Sequence, residues 1–158
     1  MMCFTETWLS EHIDNILAPG FTTVRAERDC DKAQKSVGGG VCVFVSDNWA
    51  TQYCVRERVC TRDFELLTVS FLPFYLPRKF GQITVILVYV PGPDFKTATQ
   101  RITECFNEAV SGRLTSLFIF WVTLIPVRLN HGPIFIYRSI AEQNIRSVQW
   151  KHQERLLT

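Results

Sequence analysis

Charge of either sign is in short supply in this chain. Seventeen Lys and Arg stand against fifteen Asp and Glu, leaving a net charge of +2. That balance makes no basic field strong enough to announce nucleic-acid binding, so charge alone is silent about the substrate. Cys-x-x-Cys is missing, although there are six cysteines (Cys3, Cys30, Cys42, Cys54, Cys60 and Cys105), and no paired His follows at zinc-site spacing. The usual structural zinc motifs are thereby excluded. Several of these cysteines fall inside apolar runs, where a free thiol behaves as a small core residue. A reduced, intracellular protein, nuclear or cytoplasmic, is the expectation. Met1 to Trp8 has no basic stretch followed by an apolar core, so no secretory signal is expected.

Long apolar runs are lacking too. The best candidate, Leu114 to Val127 (LTSLFIFWVTLIPV), is shorter than the roughly 20 residues of a spanning helix. Its β-branched and aromatic content, with Pro126 near its end, suits a buried strand, and no membrane partner is expected. Gly38-Gly39-Gly40 is followed by neither a Lys-Ser/Thr pair nor a helix, so it fails as a phosphate loop and reads as a turn. No other motif calls for a small-molecule cofactor. Of His12, His131 and His152, none has a Ser or Cys partner at a nucleophile's position.

What remains is a globular composition, 47% hydrophobic and 20% charged over 158 residues, enough for one domain with a real core. Met2 to Phe4 leads into Thr5-Glu6-Thr7-Trp8 as a strand with a polar end. Ser10 caps a short helix over Glu11 to Leu17, and Pro19-Gly20 ends it. Phe21 to Arg25 alternates as a strand, and Arg28 to Val37 reads as an exposed polar loop. After the three glycines, Val41 to Val45 forms a strand buried on both faces, and Asp47-Asn48 makes the turn. Gln52 to Thr61 and Phe64 to Leu72 read as a hairpin turning at Thr61-Arg62-Asp63. Pro73 to Phe80 is a loop. Ile83 to Val90 is the strongest strand, and Pro91-Gly92-Pro93 stops it. Thr97 to Val110 has helical periodicity, followed by the strand Leu117 to Ile125. Beyond Pro126 the pattern degrades, with a strand at Ile134 to Tyr137 and an amphipathic helix from Ala141 to Leu157 as the readings. This order gives an α/β class, with sheets packed on each other and helices outside.

Three sets of residues carry candidate chemistry. Glu6, just past a strand end, is placed to hold a hard cation such as Mg²⁺ through oxygen. Tyr89, near the end of the most apolar strand, presents a hydroxyl suited to a phosphate oxygen. Arg25 and Arg28, with Lys32 and Lys35, cluster on or beside the polar loop as substrate contacts. Each has a plainer reading: a solvated strand-end Glu, a core Tyr with its hydroxyl at the rim, and a charged solvated face.

Taken in order, several segments resemble the endonuclease/exonuclease/phosphatase superfamily, the DNase I-like and apurinic-endonuclease-like enzymes. Cys3-Phe4-Thr5-Glu6-Thr7-Trp8-Leu9 is similar to its strand-plus-Glu-Thr signature. Gly38 to Val45 is similar to its next sheet strand, and Val88-Tyr89-Val90-Pro91 to its Tyr-x-Pro strand end. The likeness, which includes Gly20 to Arg25 and Tyr75-Leu76-Pro77-Arg78, is strongest to endonuclease domains of non-LTR (LINE-type) retrotransposons and covers about Cys3 to Gly112. It implies an incomplete four-layer α-β-β-α sandwich over residues 1–126, followed by an atypical tail over 127–158. It further implies DNA as partner, Mg²⁺ as cofactor, Glu6 as metal ligand, and Tyr89 at the scissile phosphate.

The departures from that family are large. Its earlier strand with an active-site Asn has no counterpart here. Where the family carries Gly-Asp-x-Asn, this chain reads Phe120-Trp121-Val122-Thr123-Leu124-Ile125-Pro126, without a carboxylate. The C-terminal Asp-His pair is missing as well. Codons for that stretch can be read in another frame as Leu-Gly-Asp-Phe-Asn-Pro, the Gly being forced by the Trp and Val codons, which points to a frameshift between about Val110 and Phe120. The expectation is a retrotransposon-derived endonuclease domain with little or no activity, or a non-catalytic nucleic-acid- or protein-binding remnant of the same fold. Unpaired sheet edges in such a fragment lead to an expectation of poor solubility.

Overall fold

The structure, a computed structural model, describes residues 1–9, 18–29, 38–91, 99–100, 102–104, 107, 116–124 and 135–141. Eight strands make two sheets. The first has three strands in the order β1-β3-β2: β1 (Met2–Thr5), β2 (Phe21–Ala26) and β3 (Val41–Ser46). The second has five in sequence order: β4 (Gln52–Cys60), β5 (Glu65–Leu72), β6 (Gln82–Val90), β7 (Ser116–Leu124) and β8 (Phe135–Ala141). All neighbours run antiparallel except β6 and β7, which are parallel.

The sequence dictates much of this through period-two alternation. In β6, Ile83, Val85, Leu87 and Tyr89 face the first sheet. They pack with Leu67, Val69 and Phe71 of β5 against Val24 of β2 and Val41, Val43 and Val45 of β3. The other side of β6 (Thr84, Ile86, Val88 and Val90) is also buried, as its nearly unbroken apolar run requires. On that side the Ser70 and Thr84 hydroxyls satisfy one another at 3.0 Å across the β5–β6 ladder. The main cluster thus fills the space between two stacked sheets, and a second buried layer lies on the far face of the larger sheet.

The expected elements mostly fall into place within a residue or two. The hairpin turn is held by Thr61, whose N–H donates to the Phe64 carbonyl (3.0 Å) and whose hydroxyl accepts from the Phe64 N–H (3.1 Å). The Leu114–Val127 segment supplies β7, hydrogen-bonded on both edges, in keeping with its reading as a strand. Among the described residues no helix is long and apolar enough to cross a membrane. Strand β4 lies at a sheet edge. It carries a register shift between Val55 and Glu57 and three consecutive charged residues, Arg56 to Arg58, which discourage further strand addition.

Three differences stand out. The described residues are mostly strand, so they show a two-sheet β architecture. Of the expected outer helices, only residues 99–100, 102–104 and 107 are described, and all are helical. The helices expected over 11–17 and, apart from Ala141, over 141–157 lie outside the described residues. Next, β8 runs from Phe135 to Ala141, longer than the Ile134–Tyr137 segment expected, so residues assigned to an atypical tail extend the main sheet. Backbone pairing with a nine-residue neighbour carries a strand past the point where its side-chain pattern fades. Last, Arg28 does not begin an exposed loop. Its side chain is only 6% exposed, because it has an acidic partner in the core.

Candidate functional site

The ends of β1, β2 and β6 and the starts of β3 and β5 meet at one pole of the sandwich, as the strand directions and ladders require. β1 keeps its ladder to β3 beyond its last residue. The Thr7 N–H donates to the Gly40 carbonyl (3.3 Å) and the Trp8 N–H to the Gly39 carbonyl (2.9 Å). Around these contacts the chain turns sharply. Glu6 and Trp8 both have φ of 56°, in the left-handed region that costs a non-glycine residue about 1 to 3 kcal/mol. Such strain persists only where surrounding contacts impose it.

The contacts come from the glycine turn. Gly38, Gly39 and Gly40 have φ of 86°, 82° and 86°. Two of their amides meet carboxylates. The Gly39 N–H donates to Glu6 Oε2 at 2.9 Å, and the Gly40 N–H donates to Glu65 Oε2 at 2.7 Å. A side chain at Gly39 would collide with the Arg28 guanidinium, and one at Gly40 with the Thr7 hydroxyl. The motif that fails as a phosphate loop is a cradle for the protein's own carboxylates.

Glu65 is the residue that sequence reasoning missed. It opens β5 on the face turned toward the first sheet, 2% exposed, with Tyr89 as its cross-strand partner. Its Oε1 accepts a charge-assisted hydrogen bond from Arg28 Nε, which makes a buried ion pair. With Oε2 on Gly40, both oxygens are engaged, the condition under which a buried carboxylate is tolerated. The available signal was a Glu at an inward position of an apolar strand, where an unpaired charge is prohibitively costly.

The expected site residues divide accordingly. Glu6, Arg28 and the end of the Tyr89 strand share the pole. Tyr89 itself is 2% exposed and belongs to the core cluster, so a phosphate would reach its hydroxyl only after its cover moved. Arg28 is spent on Glu65. Arg25, the last but one residue of β2, is paired with Glu27 (2.5 Å). It lines a cavity of about 420 Å³ together with Asp29, Arg58, Cys60 and Glu65. Burial pushes the Cys60 thiol above its ordinary value, so it is no ready nucleophile.

Mg²⁺ takes about six oxygen ligands. Among the described residues no three His, Cys, Asp or Glu gather to hold a metal ion, and Glu6 has one oxygen committed to Gly39. These residues do not by themselves make a magnesium site. The four described cysteines, Cys3, Cys42, Cys54 and Cys60, are all free thiols. No protein-family model, curated protein or solved structure matches this chain.

Proposed function

We propose that this chain is a partial endonuclease domain of retrotransposon origin, whose full form is a four-layer α-β-β-α sandwich, and that it cleaves DNA feebly or not at all. The observation that carries the reading is the pole itself. A strained strand-end carboxylate, Glu6, lies where β1, β3, β5 and β6 converge, which is where a phosphodiesterase of that architecture would hold a hard cation against a scissile phosphate. Tyr89 and the Arg25 cavity lie on the same side of the sandwich. A complete site needs several groups converging on one phosphate, and the loss of one partner commonly costs orders of magnitude in rate.

The second reading, a non-catalytic remnant that binds nucleic acid or protein, is favoured by one specific fact. All three described charged residues expected to act there have partners within the chain: Glu6 has Gly39, Arg28 has Glu65 and Arg25 has Glu27. A plasmid-nicking assay with Mg²⁺, comparing the protein with Glu6→Ala, separates the two. Nicking that disappears in the variant supports a residual nuclease. Equal inactivity together with salt-sensitive DNA binding supports the remnant. The coding sequence across Val110 to Asn130 supplies an independent check, because a frame reading Gly-Asp-Phe-Asn there would make the chain a broken endonuclease. Codons that forbid that reading would sink the frameshift explanation.

A further inference from the structure

We propose that Glu65 is a positioning residue for Glu6, acting through the glycine turn rather than by touching any ligand. The chain of contacts is short. Glu65 holds Arg28 through Oε1 and the Gly40 N–H through Oε2. The Arg28 guanidinium fills the space that a side chain at Gly39 would need, so the ion pair packs beneath the turn as well as bonding to it. The next amide along, Gly39 N–H, holds Glu6 Oε2, and the neighbouring Gly39 and Gly40 carbonyls hold the Trp8 and Thr7 amides. Glu6 is therefore tied to the turn through its own carboxylate and through the two backbone amides that follow it, and Glu65 holds that turn from the other side. Three successive positive-φ glycines have little conformational preference of their own, so something outside the turn must select the observed path. Among the described residues, the Glu65–Arg28 ion pair is a buried restraint that reaches it, bonding the Gly40 amide directly. Held this way, Glu6 keeps a left-handed conformation that it would leave if the turn relaxed.

This deepens the role given to Glu6 above, and its functional weight rests on that reading. Its geometry does not. The test is amide hydrogen exchange by NMR on the full chain, without metal or DNA. Glu65→Gln removes the charge while keeping an acceptor. It is expected to speed exchange at both Gly40 and Gly39 about tenfold or more, while β-ladder amides such as Val43 and Val85 stay within about twofold. Faster exchange at Gly40 alone would overturn the proposal, since Glu65 would then act only as a local cap. A uniform rise across the core amides would overturn it equally, as would no change at all. If Glu65→Gln fails to fold, Arg28→Lys gives the same readout, keeping the charge but losing the planar fork. Nicking plays no part in this measurement, so failure of the endonuclease reading and failure of the positioning role are told apart.

Discussion

The two sheets solve the same burial problem with different reserves. The five-stranded sheet has β5 and β6 at its heart, eight and nine residues long, with nearly every position buried. The three-stranded sheet has strands of four to six residues, and its edge strand β1 leaves Met2 and Phe4 almost half exposed, with Phe4 edge-on to Phe44 at 5.5 Å. The larger sheet can lose side chains only at the expense of the core. The smaller one tolerates strain and keeps a bare apolar edge, and it also carries Glu6 and the glycine turn. Most of the fully buried apolar side chains belong to the larger sheet, whereas Glu6 and the glycine turn belong to the smaller one and meet Glu65 and Tyr89 of the larger at the shared pole.

Paired substitutions should show that contrast most strongly in the core. Leu87→Ala in β6 is expected to cost about 2 to 5 kcal/mol by urea denaturation, the range for emptying a packed leucine site. Phe4→Lys in β1 should change stability by no more than about 0.5 kcal/mol, while raising the monomer fraction in size-exclusion chromatography by charging the open edge. Similar costs for the two would erase the distinction between the sheets.

The glycines sharpen the comparison further. At Gly39, φ is 82° and a methyl group would strike the Arg28 guanidinium, so Gly39→Ala combines backbone strain with damage to a buried ion pair. About 3 kcal/mol or more is expected. Gly20 has almost the same φ, 79°, with nothing near its missing side chain, and Gly20→Ala should cost only about 1 kcal/mol. Equal losses in thermal melts would mean that backbone strain alone accounts for both.

The smallest effect under ordinary conditions concerns pH. Burial pushes the Cys42 thiol from 9.0 up to about 11, against a lowering influence from Arg25. The unfolded chain ionises first, so stabilisation present below pH 9 drains away as the pH rises toward 11, reaching at most about 3 kcal/mol. Cys42→Ala should flatten denaturation midpoints across that window. An unchanged decline would place the titration elsewhere.

The strand order was legible because β3, β5 and β6 are written in runs that no other element accommodates, and the turns at Gly20, Asp47 and Thr61 are punctuated by the residue types that turns need. Glu6 was legible as a candidate from its place after a strand. The pairing of Arg28 with Glu65, 37 residues apart, was not. Nothing local marks which charged residue will be drawn inward, since that depends on which strand ends the fold brings together. Glu65 fell unmarked within the strand expected from Phe64 to Leu72, and three glycines looked like a plain turn, because sequence spacing does not show what a backbone amide faces.

The parallel pairing of β6 with β7 also sets an order of assembly. β4, β5 and β6 can zip together through short connections, but Gln82 must find Ser116 across 34 residues of chain. Closing that larger loop is entropically dearer and slower than closing a hairpin. Until it closes, the most apolar strand of the protein presents a naked edge to every neighbouring molecule. A ribosome making this chain therefore leaves β6 unguarded for as long as it takes to add the crossover and β7, and that interval is where a chaperone would have the most to do.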